Sequence, residues 1–457
     1  MRKVLTWLFT AFILFSCPCG LASIQELPDS AELRGSREPK VSSRVQDGPE
    51  GSRDSVLVLS GIALLDGTGR PLIHDVDITI EGGIIRSISG HGSRRIPASA
   101  TVLDLEGAYA IPGLIEGHVH ITGSSEESLR LMLEAGITTL RDMGGDGAYL
   151  RELQAAVRSG EAVGPDIYYS ALVGGPDLIL EDSRAKLCTP MEYRLGSAPW
   201  MRAVDESSDV AGVVGDALAC GARGMKIYSH VTGSMVDRIS AEAHRRGLKV
   251  WAHSFVWPAT PYEVVAAGVE VISHAQGLLC YPDWAPGTGG FDFDPDQVGS
   301  PEFDRVLEAM QEYGTMLDPT VAVFDIRLSA TNTEKDLRKR RAVWETVRRA
   351  HSAGVPIVVG SDLPPPDSED EKQPLYAEME LLADKVGLTP LEVITAATRN
   401  NAIALGIEDS HGTLEPGKAA DIVVLSNDPS KRIPGTGGIV LVIKNGRIVS
   451  RPDGGGL

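Results

Sequence analysis

Residues 113–123 read GLIEGHVHITG. Leu114, Ile115 and Val119 make an apolar strand, and it delivers two imidazoles, His118 and His120, one residue apart. Residues i and i+2 of a strand point to one face. At the C-terminal end of a barrel strand, that face looks into the mouth where such barrels keep their active sites. Two neutral imidazoles placed there form a natural metal clamp. An isolated H-x-H carries little weight, because such pairs also serve as ordinary hydrogen-bonding groups in a core.

The rhythm around this stretch sets the fold. From about residue 112, short apolar segments alternate with helical patterns. The strand candidates are IPGLIEGHVH, ITTLRD, DIYYSAL, GMKIYS, KVWAHS, VEVISH, TMLDPTV and PIVVGSD. Helical stretches such as EESLRLMLEAG, SSDVAGVVGDALACGA, SMVDRISAEAHRRG and LRKRRAVWETVRRAHSAG lie between them. Eight strands, each followed by helical material, predict an α/β fold, a (β/α)8 TIM barrel over 112–405. Residues 55–111 are β-branched runs divided by Gly and Asp, and the same texture returns over 406–451. The two flanks are expected to pair into one small β-sandwich domain. The long segment 173–205, between the third and fourth strands, is the largest insertion on the catalytic side, and long loops of this kind carry function.

With 457 residues and 42% hydrophobic content the chain can bury a large core, and its formal charge of −19 excludes a basic nucleic-acid footprint. Arg2 and Lys3 precede the apolar run Val4–Phe15, and small residues follow. Residues 1–22 read as a secretory signal peptide, with cleavage after Ala22 and no transmembrane span in the mature protein. A second reading ends a lipoprotein-type box at Cys17, which would carry a lipid anchor. Both imply export, to the periplasm or the extracellular space. Residues 23–54 are polar and aperiodic and read as a linker. Cysteines are sparse (Cys17, Cys19, Cys188, Cys220, Cys280), so the expectation is buried single thiols rather than a disulfide framework.

Further polar residues stand where apolar strands stop. Lys226 ends the fourth strand, His253 the fifth, His274 the sixth and Asp362 the eighth. Four histidines and a carboxylate suit Zn²⁺. Lys226 is the odd member, since an ammonium should not face a dication. It fits if the amine is uncharged or has taken up CO₂ as an anionic, bidentate carbamate. The other reading is a lysine paired with Asp or Glu inside the barrel, and residue chemistry alone leaves both open.

These six positions, in this order, resemble the amidohydrolase superfamily over residues 55–451. AIPGLIEGHVH resembles its first strand, GITTLRDMGG its second strand and turn, and GVPIVVGSD its eighth. GLTPLEVITAATRNNAIALG followed by GTLEPGKAADIVVL resembles its C-terminal signature. Within it, the chain is most similar to the secreted imidazolonepropionase-like and Xaa-Pro dipeptidase (prolidase)-like group. The resemblance implies two Zn²⁺ per chain, with His118, His120 and Asp362 at one and His253 and His274 at the other. It implies a CO₂-derived carbamate on Lys226 bridging them. It also implies amide hydrolysis by a metal-bridging hydroxide, with Asp362 as general acid and base. Barrels of this family often form homo-oligomers.

Departures from the family pattern bear on substrate. The fifth strand reads HSFV where relatives often read HAHG, and Ser273 stands where relatives often carry Glu. Val256 occupies the position at which deaminases place Glu; with Lys226 present as well, this disfavours deamination and the one-metal imidazolonepropionase chemistry itself. Tyr228 and His230 follow Lys226 directly, and Tyr228 shares its face. Arg184, Tyr193 and Arg194 in the insertion are candidates to grip a carboxylate bidentately. His244, His351 and His411 read as surface residues. The favoured substrates are dipeptides such as Xaa-Pro, or N-acyl amino acids. The alternatives are a cyclic amide or lactone, and an inactive member used for binding.

Overall fold

The computed structural model describes residues 42–44, 56–280 and 293–450. The signal peptide, Cys17 and Cys19 lie outside the described residues. The first strands are β1 (Ser42–Arg44), β2 (Leu57–Leu64), β3 (Ile73–Glu81), β4 (Ile84–Gly90), β5 (Thr101–Asp104) and β6 (Tyr109–Pro112). The barrel region contributes β7 (Leu114–Val119), β8 (Ile137–Asp142), β9 (Asp166–Gly174), the hairpin β10 (Ser197–Ala198) and β11 (Met201–Ala203), β12 (Gly224–Ile227), β13 (Lys249–His253), β14 (Val271–Ser273) and β15 (Met316–Asp318). The C-terminal part adds β16 (Ile422–Leu425), β17 (Ile439–Lys444) and β18 (Arg447–Ser450).

Strands from both flanks share one nine-stranded sheet, ordered β1-β5-β2-β6-β16-β17-β18, with β3 and β4 branching from β2. The β3–β4 hairpin reaches round to bridge Ile84 to Ala419, so the sheet curls over its own core. The run IVVL of β16 is continuously apolar because both its faces are covered. Ile422 and Val424 enter the core of the small sheet, while Val423 and Leu425 enter that of the barrel. Each such side chain contributes roughly 1.5–3 kcal/mol on burial, so β16 welds the two layers. Within the stretch read as linker, Ser42–Arg44 pairs antiparallel with β5. Edge pairing uses backbone groups alone, which leave no mark on an aperiodic polar sequence.

The barrel runs β7-β8-β9-β12-β13-β14-β15, all parallel. The expected eighth strand is irregular. Residues 356–362 carry a single bridge, Leu317 to Ile357. They still close the barrel through backbone bonds on both sides: Val358 N to Leu317 O (2.9 Å), Gly117 N to Val359 O (2.9 Å) and Asp362 N to His118 O (2.8 Å). The stretch expected as one first strand is two. Gly113 separates β6 from β7, and a Cβ there would lie 2.2 Å from Thr138 Oγ1, so only glycine permits the crossing from sheet to barrel.

The end of the barrel opposite the histidines is plugged. Ile115, Trp251, Val271, Met316 and Val358 pack with Ala402, Ala404, Leu405 and Ile407. Trp251 Nε1 donates to Ala404 O (3.0 Å), and Asn401 Nδ2 to Ile115 O and Val359 O (2.7 and 2.8 Å). Cys188 and Cys220 are buried free thiols. No helix of the described residues is long and apolar enough to cross a membrane.

Candidate metal centre

The strand ends bring the histidines together. The His118 ring lies 5.6 Å from that of His120 and 5.2 Å from that of His274, and His274 lies 4.5 Å from His253. Asp362 faces them: its Oδ1 is 3.6 Å from His118 Nε2 and 3.4 Å from His120 Nε2, and its Oδ2 is 3.9 Å from His274 Nδ1. Donor atoms of His118, His274 and Asp362 all fall within 4.8 Å of one another. Lys226, 1% exposed, sits between β9 and β13 and donates from Nζ to Ser273 Oγ (3.0 Å).

Backbone strain concentrates here. Among the described residues, eight other than glycine have positive φ, and five of these follow barrel strands: His230, Trp257, His274, Thr320 and Asp362. Such conformations persist only where surrounding bonds enforce them. His274 (φ 75°) is held by its N–H to Asp318 O (2.8 Å) and by Ser254 Oγ to its carbonyl (2.5 Å). Asp362 (φ 50°) is held by the bond to His118 O already described.

The electrostatics fit a cation. Burial lowers the pKa of His118, and it holds His253 and His274 well below the usual imidazole range. Burial thus favours the uncharged form of these rings, the form that can ligate a cation. Burial alone would raise the carboxyl of Asp362, but His118, His120 and His274 hold it well below the usual carboxylate range. Its distances to the three rings exceed the roughly 2.7–3.2 Å of N–H···O bonds. Lone pairs facing a carboxylate at these separations are the donor set of a borderline dication such as Zn²⁺. Burial also lowers Lys226 to about 7, against the pull of Asp318.

Sequence reasoning missed the shell beneath the donors. Asp318, wholly buried at the end of β15, accepts from His118 Nδ1 (2.6 Å) and Ser273 Oγ (2.9 Å), both at Oδ2. That bond places the His118 proton on Nδ1 and leaves the Nε2 lone pair available to a cation, the arrangement typical of metal-binding histidines. Thr320 Oγ1 lies 2.8 Å from His274 Nδ1. Arg141, also wholly buried, donates from Nε to Gly117 O (2.5 Å) and lies 3.7 Å from Asp318 Oδ2. Glu116 accepts the His118 and Ser361 N–H groups (both 3.0 Å) and the Ser361 hydroxyl (2.9 Å), tying the first strand to the eighth; burial raises it to about 7. TMLDPTV held the one available signal, since Asp318 ends an apolar strand as the candidate ligands do.

The substrate candidates divide. Tyr228 packs edge-on to His253 (4.3 Å between centroids), and the Arg184 guanidinium lies 5.1 Å over the Tyr228 ring. His230 faces Trp257 at 5.3 Å. Tyr193 instead packs on Trp200 (5.4 Å) and Arg194 is exposed; neither joins the cluster among the described residues. An aromatic inside a long insertion can face the mouth or the insertion's own small core, and spacing does not choose between them. His244 and His351 pair with Glu270 and Glu392. His411, read as a surface residue, approaches Asp166 and Asp421 in a second group, where Lys444 Nζ pairs with Asp166 at 2.7 Å.

A ring of imidazoles around one carboxylate, at the mouth of a parallel β/α barrel, defines a metal-binding hydrolase. The match of the amidohydrolase family model to residues 109–449 agrees, and the chain belongs to that family. It is a hydrolase acting on carbon–nitrogen bonds. It is 25% identical over 410 residues to the imidazolonepropionase of Geobacillus kaustophilus (strain HTA426), covering 83% of this chain and 91% of that protein. It is 24% identical over 465 residues to the ochratoxinase of Aspergillus niger, covering 89% and 87%. The crystal structure of A. niger ochratoxinase matches with TM-score 0.69 at 20% identity, covering 87% of this chain and 96% of that one. A Xaa-Pro dipeptidase with bound methionine matches with TM-score 0.66 at 22% identity, covering 86% and 99%. At those identities the structural likeness speaks for the fold.

Proposed function

We propose that this protein is an exported, binuclear amidohydrolase that cleaves the amide bond of a dipeptide or N-acyl amino acid. His118, His120 and Asp362 would hold one cation, His253 and His274 the other, and Lys226, as a carbamate, would bridge them. One observation carries this reading. Lys226 is buried, makes no salt bridge among the described residues, and donates from Nζ to the Ser273 hydroxyl. Asp318 reaches Lys226 through the Ser273 hydroxyl, but burial outweighs that carboxylate's pull, which supports an uncharged amine or a carbamate. The apolar N-terminal run supports export.

Bound cations would supply Lewis-acid activation of a water and of the scissile carbonyl. The protein's own groups do the rest. Oδ1 of Asp362 is the oxygen nearest the His118 and His120 Nε2 atoms, which leaves Oδ2 to take the proton of the attacking water and return it to the leaving amine. Asp318 keeps the His118 tautomer. Tyr228 and Arg184, stacked beside His253, offer a hydroxyl and a planar guanidinium to a substrate carboxylate.

The test compares three substrate sets on metal-loaded protein: free-acid dipeptides including Xaa-Pro, their C-terminal amides, and cyclic amides. The expected result is hydrolysis of the free acids, with KM rising roughly tenfold or more in Arg184→Ala, as befits loss of a charged hydrogen bond. The imidazolonepropionase relatives favour the second reading, cyclic-amide hydrolysis. Turnover confined to the cyclic amides would replace the first reading with that one.

A further inference from the structure

We propose that Ser273 and Asp318 are positioning residues that fix the nitrogen of Lys226, and so set the orientation of a carbamate formed on it. This rests on the reading of Lys226 given above. The three groups form a directed chain. Asp318 Oδ2 receives both the His118 Nδ1 proton (2.6 Å) and the Ser273 hydroxyl (2.9 Å). A carboxylate can only accept, so the Ser273 hydrogen is committed to it. Ser273 Oγ is left to accept, and what it accepts is the Lys226 nitrogen, 3.0 Å away. Ser273 and Asp318 are wholly buried, so these directions are set within the protein.

The chemistry makes this polarity matter. The Nζ lone pair of the uncharged amine attacks the carbon of CO₂. A nitrogen–carbon bond forms, one C–O π pair moves onto oxygen, and one N–H proton leaves to solvent, giving –NH–CO₂⁻. The product keeps a single N–H, and resonance makes the group planar, as in a peptide. Anchoring that N–H on Ser273 fixes the plane in which both anionic oxygens lie. A glutamate at position 273 could not serve as a donor to Asp318 when ionised. The serine seen here lets one carboxylate govern both the His118 tautomer and the lysine nitrogen.

The experiment equilibrates zinc-loaded wild type, Ser273→Ala, Ser273→Thr and Lys226→Ala with ¹³C-bicarbonate. It follows the carbamate carbon by NMR, with thermal unfolding as a check on folding. Wild type is expected to show the signal and Lys226→Ala to lack it. Ser273→Ala should need roughly tenfold more bicarbonate for half the signal, the worth of one hydrogen bond to a charged group. Ser273→Thr, which keeps the hydroxyl, should restore the wild-type midpoint. If Ser273→Ala does not fold, Ser273→Cys, close in shape and a weak acceptor, gives the same reading. An unchanged midpoint without the hydroxyl overturns the positioning role while leaving the carbamate intact. A wild type without signal overturns the carbamate itself, and with it this inference.

Discussion

Asp362→Asn is expected to lower kcat/KM for amide hydrolysis by about 10⁴-fold, the upper range for loss of a positioned acid–base group, while the protein stays folded. The substitution is chosen for its backbone. Asp362 sits at φ 50°, in the left-handed region that asparagine tolerates better than most residues. Its N–H bond to His118 O is a main-chain contact that the new side chain keeps. What changes is charge and basicity. Three imidazoles face the carboxylate within 3.9 Å, and an amide there neither attracts a cation as strongly nor carries a proton. Steady-state kinetics beside circular dichroism checks this. Activity above a tenth of wild type in folded, metal-loaded protein would remove Asp362 from the proton-transfer role.

Arg141→Met is expected to cost about 3–5 kcal/mol of stability, the usual penalty for deleting one member of a buried ion pair. Arg141 is wholly inside the barrel, its guanidinium 4.7 Å over the Trp251 ring and 3.7 Å from Asp318. Burial lowers its pKa to about 10, which still leaves it charged at neutral pH. Methionine fills a similar length without a charge, so the apolar contact with Trp251 survives. Asp318 keeps its donors from His118 and Ser273 but loses its cationic neighbour. Urea unfolding measures the difference. The double variant with Asp318→Asn should lose less than the sum of the single changes, because one substitution removes what the other leaves unpaired. A loss below about 1 kcal/mol for Arg141→Met would show that the pair carries no such burden.

Much of the centre was legible because a strand has only two faces. The spacing of His118 and His120 puts both on one side, and Lys226, His253, His274 and Asp362 each stand where an apolar run stops. That pattern needs no knowledge of pairing. Asp318 obeys the same rule but was passed over, since its role depends on which ring nitrogen it meets 200 residues away. Arg141 and Glu116 lay inside apolar strands, and only closure of the barrel gives them partners. The helix Val321–Ser329 likewise depends on a distant partner. Its first N–H groups, those of Val321 and Ala322, are satisfied by Glu378 across more than fifty residues rather than by a local cap. The double use of AIPGLIEGHVH by sheet and barrel could not be read from periodicity, because both environments ask for apolar residues.

On this reading Lys226 completes a two-cation site. Metal content per chain, measured on mature protein prepared with zinc and bicarbonate beside Lys226→Ala, tests it most directly. About two metals are expected in wild type, with a sharp fall in the variant. One metal in both proteins would contradict it, leaving Lys226 a structural lysine beside a mononuclear site.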